Sequence, residues 1–312
     1  MAEEIIVTHG CTHLSGTVRV SGAKNSALKL IAAALLGQGK SVLHNVPNIS
    51  DIDIMIEVLK SLGASVERTG HTIAIDTANA TGFETPYELV SKMRASISIL
   101  GPLIGRFGKA RVAMPGGCKI GARKIDMHLS VLEALGVSFV NDHGYLYASS
   151  PDGLHAAKVF LDFPSVGATE NMLMASVTTE GTTVIDNAAR EPEIVDLANM
   201  LNEMGACVQG AGTSTIVVHG VALSDMHPCE HWVVGDRIEA GTYLTAGALL
   251  GGPITVEGID PEFLRTVLMK FEEMGANVST TEDSITVSRT EPLRPTDIQT
   301  LPHPGFPTDM QA

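Results

Sequence analysis

The sequence predicts an α/β fold built from a repeated βαβαββ segment of about 70 residues. Three observations predict it. Helical and strand-like hydrophobic periods alternate along the chain, a glycine that follows Leu or Met closes one helix in each copy, and these glycines recur at nearly equal steps. The closing glycines are Gly63, Gly136, Gly205 and Gly275.

The first helix of each repeat is predicted in a stretch of small, apolar residues, which is typical of a helix buried on most of its surface. These helices are predicted at 26–36, 95–104, 168–178 and 241–250. A short strand is predicted after each of them, at 41–43, 110–113, 183–185 and 254–256.

The second helix of each repeat shows an apolar period of about 3.6 residues and is predicted to be capped by the closing glycine. Leu197, Met200, Leu201 and Met204 show this period in the third repeat. A hairpin of alternating residues then completes the repeat. Examples are 65–68 with 72–76, and 277–280 with 285–288.

The second repeat is longer than the other three. Its interval from the opening glycine, Gly108, to Gly136 exceeds by four residues the interval that the other copies share. The extra residues fall in 115–123, which reads Pro-Gly-Gly-Cys-Lys-Ile-Gly-Ala-Arg. Because loops on a rigid scaffold commonly carry function, the irregular copy predicts a functional site at this loop.

Basic residues concentrate around the same loop. Residues 89–125 contain no Asp or Glu and hold eight of the 21 Lys and Arg residues: Lys92, Arg94, Arg106, Lys109, Arg111, Lys119, Arg123 and Lys124. We expect a pocket for a small anion, phosphate or carboxylate, in this otherwise acidic chain. A solvated basic surface patch is the alternative.

Composition restricts the class of partner. The net charge of −14 and the 4% aromatic content argue against a nucleic-acid partner. Four cysteines without CxxC spacing predict no disulfide framework, and neither a signal peptide nor a membrane span is recognised, so we expect a cytoplasmic protein. The length of 312 residues suggests about two domains.

Cys118 is the strongest single candidate for chemistry. Glycines and the cations Lys119 and Arg123 surround it, and neighbouring cations favour the reactive thiolate. A buried, inert cysteine is the alternative, and that interpretation is the one given to Cys11 and Cys207, which lie in strand patterns.

Two predicted helix starts have the composition of anion sites. Lys24 and Asn25 follow Gly22, and Ser165 precedes Val166, Gly167 and Ala168. Free N–H groups at a helix start bind anions, but simple N-capping explains both segments equally well. The strings His9–His13 and His227–His231 both read H-x-C-x-H; their spacing does not match standard zinc sites, so no metal is predicted.

Several motifs together resemble one family, the UDP-N-acetylglucosamine 1-carboxyvinyltransferases. They extend in order over the whole chain: Gly22-Ala23-Lys24-Asn25-Ser26-Ala27-Leu28, Met93-Arg94-Ala95-Ser96, the Cys118 loop, Ala189-Arg190-Glu191-Pro192-Glu193-Ile194-Val195-Asp196, Asp236-Arg237-Ile238-Glu239-Ala240-Gly241-Thr242, and Pro304-Gly305-Phe306-Pro307-Thr308-Asp309-Met310-Gln311.

The resemblance implies an inside-out α/β barrel of two domains, each made of three repeats. It implies a first domain at 21–233 and a second domain formed by 1–20 and 234–312. Because only four repeats are counted, we expect the second domain to be incomplete and the chain to stop at the start of a further repeat, where Thr308 or Asp309 would be the helix N-cap. Such a domain would expose strand edges, so self-association is expected.

The resemblance also implies a reaction. The 3′-hydroxyl of UDP-N-acetylglucosamine attacks phosphoenolpyruvate and phosphate is released, the first committed step of bacterial peptidoglycan synthesis. These two small molecules are the implied substrates, with no cofactor, metal, nucleic acid or membrane involved. The family inhibitor fosfomycin alkylates the loop cysteine, so Cys118 implies sensitivity.

The resemblance assigns roles residue by residue. Lys24, Arg94 and Arg123 would hold phosphate and carboxylate charge, Cys118 would act as general acid, and Asp309 would accept the hydroxyl proton. The other implied substrate contacts are Asn25, Asp126, Met127, His128, Ser165, Val166, Gly167, Glu191 and Glu239.

The chain departs from the family pattern at Lys29 and Lys124, where the family commonly has Pro. Two other functions stay open. One is 5-enolpyruvylshikimate-3-phosphate synthase on the same fold, against which the Cys118 loop argues. The other is a fragment that binds nucleotide-sugar without turnover.

Overall fold

A computed structural model describes residues 10, 12–90, 94–113 and 125–311 of the chain, without the side chains of residues 90, 94–96 and 142. The chain forms two compact units. The large unit is Gly22–Val234, and the small unit combines Met1–Ser21 with Gly235–Ala312.

Strands and helices alternate as the repeat predicts. The strands are β1 (Gly16–Arg19), β2 (Lys40–His44), β3 (Ser65–Thr69), β4 (Thr72–Asp76), β5 (Lys109–Ala113), β6 (Ser138–Asp142), β7 (Tyr145–Ser149), β8 (Lys158–Phe160), β9 (Thr182–Asp186), β10 (Cys207–Gln209), β11 (Thr215–His219), β12 (Glu230–Trp232), β13 (Ile254–Glu257), β14 (Asn277–Thr280) and β15 (Ser284–Ser288). The α-helices are α1 (Lys24–Ala33), α2 (Ser50–Ser61), α3 (Tyr87–Val90), α4 (Leu100–Phe107), α5 (Asp126–Ala134), α6 (Val166–Ser176), α7 (Pro192–Glu203), α8 (Arg237–Leu250) and α9 (Arg265–Met274). Short 3₁₀ helices lie at Ala34–Leu36, Arg94–Ile99, Leu223–Asp225, Pro261–Leu264 and Thr308–Met310.

Every repeat contributes a sheet of the same plan. In the large unit the strand orders are β12-β2-β4-β3, β8-β9-β11-β10 and β5-β7-β6, and in the small unit the order is β1-β13-β15-β14. The first pair of each four-stranded sheet is parallel and the others are antiparallel. In the sheet of β5 a single parallel bridge, Glu84 to Arg111, takes the place of the parallel strand.

The first helices of the repeats form the centre of the large unit. Eight of the ten residues of α1 and nine of the eleven residues of α6 are buried. Helix α1 packs on α2 and α7, and α6 packs on α4, α5 and α7, through small or aliphatic side chains. Burial on most sides is therefore confirmed as the reason for their apolar composition. The small unit has a core of its own around Leu244, Val256, Phe271 and Ile285.

The predicted helices and strands are confirmed with ends that shift by up to about one turn, and three further predictions about them are corrected. The stretch predicted as one helix at 95–104 is a 3₁₀ helix, Arg94–Ile99, followed by α4. The closing glycines Gly63, Gly136 and Gly205 lie one residue beyond the C-cap, with φ values of 96°, 94° and 100° that favour glycine.

The third correction concerns the last helical turn. The sequence predicts Thr308 or Asp309 as the N-cap, but Pro307 precedes the 3₁₀ helix Thr308–Met310 and no side chain caps it. Proline at this position sets an extended backbone, so the turn begins at Thr308 itself.

Candidate active site

Nine predicted site residues of the large unit lie at the starts of four helices. Helix α1 begins with Lys24 and Asn25, α5 with Asp126, Met127 and His128, and α6 follows Ser165 with Val166 and Gly167, while Glu191 directly precedes α7. Because the first turn of a helix presents free N–H groups and a positive dipole end, these segments suit an anionic ligand.

The starts of α5 and α6 are in direct contact. His128 is buried, and a methyl group at Gly167 would lie 2.4 Å from its Cε1 atom, so only glycine leaves room for the ring. Asn171 accepts a hydrogen bond from the Gly101 N–H at 2.8 Å, and its amide nitrogen lies 3.2 Å from the Ile97 carbonyl and 2.8 Å from His128 Nδ1. The amide therefore donates to Nδ1 and leaves the ring proton on Nε2.

The starts of α6 and α7 are also linked. The Ala189 N–H donates to Thr169 Oγ1 at 3.1 Å, and the same hydroxyl donates to the Ser165 carbonyl at 2.8 Å. Ser165 Oγ accepts from the Ala168 N–H at 3.4 Å, so the N-capping interpretation is confirmed for this residue.

Helix α1 is positioned differently. Its N-cap, Ala23, makes no side-chain cap, so the capping interpretation of this segment is wrong. The Ala23 N–H donates to the Val234 carbonyl at 2.7 Å, and a Cβ at Gly22 would lie 1.9 Å from the Asn45 carbonyl oxygen. A close backbone approach that only glycine permits thus fixes the start of α1. The half-exposed Lys24 Nζ lies 3.4 Å from Asp51 Oδ2.

Behind the helix starts lies a group of buried carboxylates. Glu170 is 1%, Asp196 2%, Glu193 5% and Glu191 8% exposed. Lys29, itself buried, lies 3.2 Å from Glu170 Oε1 and donates to the Asn25 carbonyl at 2.9 Å. Burial raises the pKa of Glu170 to about 7; Lys29 opposes this shift, and the charges of Glu193 and Glu191 add to it.

A second cation faces this group from strand β12. His231 is buried, with Nε2 2.9 Å from Asp196 Oδ1 and Nδ1 2.7 Å from Glu203 Oε2. Burial alone lowers the pKa of His231, but its hydrogen bonds with Asp196 and Glu203 and their negative charges outweigh burial and raise the pKa above its ordinary value. Two carboxylates at both ring nitrogens favour the doubly protonated imidazolium.

The small unit holds the other two predicted residues near the first turn of α8. Asp236 caps α8 by accepting from the N–H groups of Ile238 at 2.8 Å and Glu239 at 3.1 Å. Glu239 accepts from the Ser21 N–H at 3.1 Å and from its hydroxyl. Asp309 is exposed. The neighbouring Met310 packs on Gly241 so closely that a Cβ added at Gly241 would lie 2.5 Å from the Met310 sulfur.

Three of the eight basic residues make structural contacts, so fewer cations are available to the predicted anion pocket. Arg106 donates to the carbonyls of Thr77 at 3.0 Å and Gly37 at 3.2 Å, and burial lowers its pKa. Arg111 pairs with Glu84, and Lys109 lies 4.1 Å from the centre of the Phe83 ring. Strand β5 and α4 hold these three cations in place, so the pocket prediction rests on the remaining five.

Several predicted residues lie outside the described part of the chain. Cys118, Lys119, Arg123 and Lys124 are among them, as is Cys11, and the side chain of Arg94 is not described. Cys207 begins β10, and Cys229 is half-buried with its pKa raised to about 11 by burial and by the charge of Glu203.

The expectation of no metal site concerns two strings. His9 and Cys11 of the first string lie outside the described residues, while in the second string His231 is bonded to carboxylates. Within the described ranges no three His, Cys, Asp or Glu side chains are placed to share a metal ion. Among the same residues no helix has the length and hydropathy needed to cross a membrane.

Comparison with known proteins identifies the family. The sequence model of the EPSP synthase (3-phosphoshikimate 1-carboxyvinyltransferase) family matches residues 8–312. The UDP-N-acetylglucosamine 1-carboxyvinyltransferase 2 of Staphylococcus saprophyticus is 49% identical over 312 residues, 99% of this chain and 74% of that protein. The chain belongs to the UDP-N-acetylglucosamine 1-carboxyvinyltransferase family. A second relative of this name, from Symbiobacterium thermophilum, is 50% identical over 314 residues, 99% of this chain and 70% of that protein.

Solved structures agree with this family and with its fold. The enolpyruvyl transferase NikO from Streptomyces tendae superposes with a TM-score of 0.85 at 26% identity, over 97% of this chain and 72% of that one. EPSP synthase from Acinetobacter baumannii superposes with a TM-score of 0.68 at 16% identity, over 89% of this chain and 65% of that one. At this identity the match shows the shared fold alone. The predicted family and the α/β fold of the enolpyruvyl transferases are thus confirmed.

Sequence reasoning missed the buried groups that support the site of this carboxyvinyltransferase. They are Ser26, Glu170, Asp196 and His231, together with the half-exposed Glu203 that pairs with His231. A signal was present for some of them, since Lys29 and Glu170 interrupt apolar helical stretches and a charge in such a stretch calls for a buried partner.

Proposed function

We propose that this protein transfers the enolpyruvyl group of phosphoenolpyruvate to the 3′-hydroxyl of UDP-N-acetylglucosamine. The observation that carries the proposal is that the starts of α5, α6 and α7 are in direct contact, and that they and the start of α1 bear the residues that the family motif assigns to substrate. Relatives about 50% identical over nearly the whole chain carry the name of this activity.

The chemistry needs charge to be held and protons to be moved at the hydroxyl oxygen and at C3. The 3′-hydroxyl oxygen bonds to C2 of phosphoenolpyruvate while C3 gains a proton; loss of phosphate and of a C3 proton then gives the enol ether. Lys24, Arg94 and Arg123 are assigned to the phosphate and carboxylate charges, because fixed cations stabilise developing charge most effectively. Cys118 is assigned as general acid and Asp309 as the acceptor of the hydroxyl proton.

The nucleotide part of the substrate is assigned to the starts of α5 and α6. The N–H groups of both first turns suit a diphosphate. His128, with its ring proton on Nε2, offers a donor beside Gly167, and Ser165, Val166, Asp126 and Met127 border the same turns. Asn25 and Glu191 are the remaining substrate contacts assigned in the large unit. Glu239 is assigned as a substrate contact in the small unit.

The decisive experiment measures phosphate release from phosphoenolpyruvate with UDP-N-acetylglucosamine, with shikimate 3-phosphate, and with neither. Release that requires UDP-N-acetylglucosamine supports the proposal, whereas release with shikimate 3-phosphate would establish the alternative reaction. Binding of UDP-N-acetylglucosamine without any release would instead establish a nucleotide-sugar binding protein, a function that the self-contained core of the large unit permits.

The loop cysteine is tested in the same assay. Fosfomycin is expected to block phosphate release by alkylating Cys118. A Cys229→Ser variant serves as the matched control, because Cys229 is half-buried and its raised pKa disfavours the thiolate. Inhibition must survive in that control, and inhibition lost there would contradict the assignment. Because Cys118→Ser also removes the assigned general acid, alkylation is followed by mass spectrometry in that variant, where no fosfomycin adduct is expected.

Three finer features belong to the same proposal. A role in peptidoglycan synthesis implies a cytoplasmic location, which cell fractionation tests. Self-association of the small unit is consistent with the exposed side chains of Leu249, Met269, Ile298 and Leu301. A sedimentation profile that stays monomeric at high protein concentration would contradict it.

A further inference from the structure

A chain of four side chains connects the first turn of α1 to an open groove on the large unit. Ser26, the third residue of α1, donates its hydroxyl hydrogen bond to Asp196 Oδ2. Asp196 Oδ1 accepts from His231 Nε2 at 2.9 Å, and His231 Nδ1 donates to Glu203 at 2.7 Å. We call these four residues the relay.

The relay is buried at one end and open at the other. Ser26 is fully buried, Asp196 and His231 are 2% and 7% exposed in their side chains, and Glu203 is 46% exposed. Glu203 lines a groove of about 760 Å³ together with Glu230 and Trp232. Asp196 and His231 also border this groove but are almost fully buried, so their polar atoms rely mainly on their partners in the relay for hydrogen bonds.

Asp196 is the junction of the relay. Its Oδ2 atom also accepts from the Val234 N–H at 3.3 Å, and the Val234 carbonyl accepts from the Ala23 N–H at 2.7 Å. One carboxylate thus fixes the residue before α1 through Val234 and the first turn of α1 through Ser26. Its orientation depends on the bond from His231 to the other oxygen.

We propose that His231 is a positioning residue: by holding Asp196 it fixes the first turn of α1, where Lys24 and Asn25 are presented. His231 acts only through Asp196 and Ser26. For its catalytic consequence the inference rests on the proposed function, but its structural consequence is measurable without turnover.

The groups that face His231 are known from each element packed on it. Asp196 and Glu203 both come from α7, and Ser26 lies beyond Asp196 on α1. Each of the two α7 carboxylates faces one ring nitrogen. Two amide variants therefore separate the two bonds. Glutamine places its NH₂ group near the position of Nε2 and can keep the bond to Asp196, whereas asparagine reaches only the position of Nδ1 and Glu203.

His44 provides a matched control. It lies on β2 beside the same groove, with Nε2 2.7 Å from Glu230 and Nδ1 3.1 Å from Thr72, and its ring stacks on Trp232 at 3.9 Å. Like His231 it has a partner at each ring nitrogen, here one carboxylate and one hydroxyl, but no described hydrogen bond connects it to α1.

The experiment is amide hydrogen exchange of the full chain, followed in the peptide that contains the first turn of α1, with the peptide at the start of α6 as internal reference. His231→Asn should raise exchange in the α1 peptide about tenfold, the effect of losing one charge-assisted hydrogen bond, and leave the α6 peptide unchanged. His231→Gln and His44→Asn should both resemble the wild type. Equal effects of His231→Asn and His231→Gln, or equal changes in both peptides, would overturn the proposal.

A variant at the other end of the relay protects the test against a folding failure. Ser26→Ala removes the hydroxyl and should raise exchange in the α1 peptide selectively; no change would overturn the proposal. In the phosphate-release assay His231→Asn should lower kcat/KM for phosphoenolpyruvate about tenfold while UDP-N-acetylglucosamine binding stays within about twofold. If the wild type releases no phosphate, the proposed function fails and the exchange result still decides the role of His231.

Discussion

Replacing Glu170 by glutamine is expected to flatten the pH dependence of stability between pH 5 and pH 8. Glu170 is buried, and burial raises its pKa from 4.5 to about 7 despite the opposing charge of Lys29. In this pH range the folded protein therefore binds a proton that the unfolded chain has largely released. Stability is thus highest at the acid end and is lost as pH rises through about 7.

The magnitude follows from the shift. A pKa difference of one unit corresponds to about 1.4 kcal/mol, so the full shift of Glu170 corresponds to about 3 kcal/mol, of which about 2–3 kcal/mol is lost between pH 5 and pH 8. Glutamine also changes the hydrogen bonding of Lys29, and that part of the effect is independent of pH. The pH slope separates the two effects, because a change in packing or hydrogen bonding shifts the free energy of unfolding equally at every pH, whereas titration of Glu170 changes its slope.

The assay is urea unfolding at pH 5, 6, 7 and 8, monitored by far-UV circular dichroism and by the fluorescence of Trp232. Trp232 is the single tryptophan of the chain and lies in the same unit as Glu170. Glu67→Gln is the control, since Glu67 is exposed and pairs with Lys40 at 3.3 Å. His231, whose pKa is also raised, contributes in the same direction in all three proteins.

Two results would contradict a raised pKa of Glu170: a wild-type pH slope of stability in Glu170→Gln, or an equal flattening of that slope in Glu67→Gln. The first result would mean that Glu170 does not change protonation in this range. The second would mean that the slope arises from general charge effects and not from burial.

Three further predictions concern single residues. Gly167→Ala should cost about 1–3 kcal/mol in urea unfolding and weaken UDP-N-acetylglucosamine binding in calorimetry, because its Cβ displaces His128; unchanged affinity would remove His128 from the site. Lys24→Gln should lower kcat/KM for phosphoenolpyruvate about 100-fold while stability changes by less than about 1 kcal/mol, since its ion pair is half-exposed; a loss of stability alone would contradict the assignment. Gly220→Ala should cost about 3 kcal/mol or more in the same unfolding assay, because its Cβ would lie 1.6 Å from the Thr179 carbonyl oxygen, and a wild-type midpoint would show that the two segments can separate.

Most of the secondary structure could be predicted from local sequence. The closing glycines, the apolar helices and the hairpins leave signals within each repeat, and β4 and β14 begin and end where the alternation predicts. The ends of helices were less accurate. Whether a helix begins one turn earlier, as α8 does at Arg237, depends on a cap such as Asp236 and not on apolar period.

The candidate site could be predicted in part, because motifs name the residues that contact substrate but not those that support them. His128 and Gly167 were each predicted, yet their direct contact follows from the packing of α5 on α6. The structural roles of Arg106 and Arg111 could not be predicted, because the sequence does not distinguish an arginine that binds carbonyls or a neighbouring carboxylate from one that binds a substrate.

The sequence by itself determined the repeat, its α/β character and the residues of the family motif, since each is written in neighbouring positions. Only the tertiary structure decided which buried charges meet. Ser26 and Asp196 are 170 positions apart and Asp196 and His231 are 35 apart, and no local pattern connects them. They are brought together because α1, α7 and β12 pack around one core, and in that core a buried charge is stable only beside a partner.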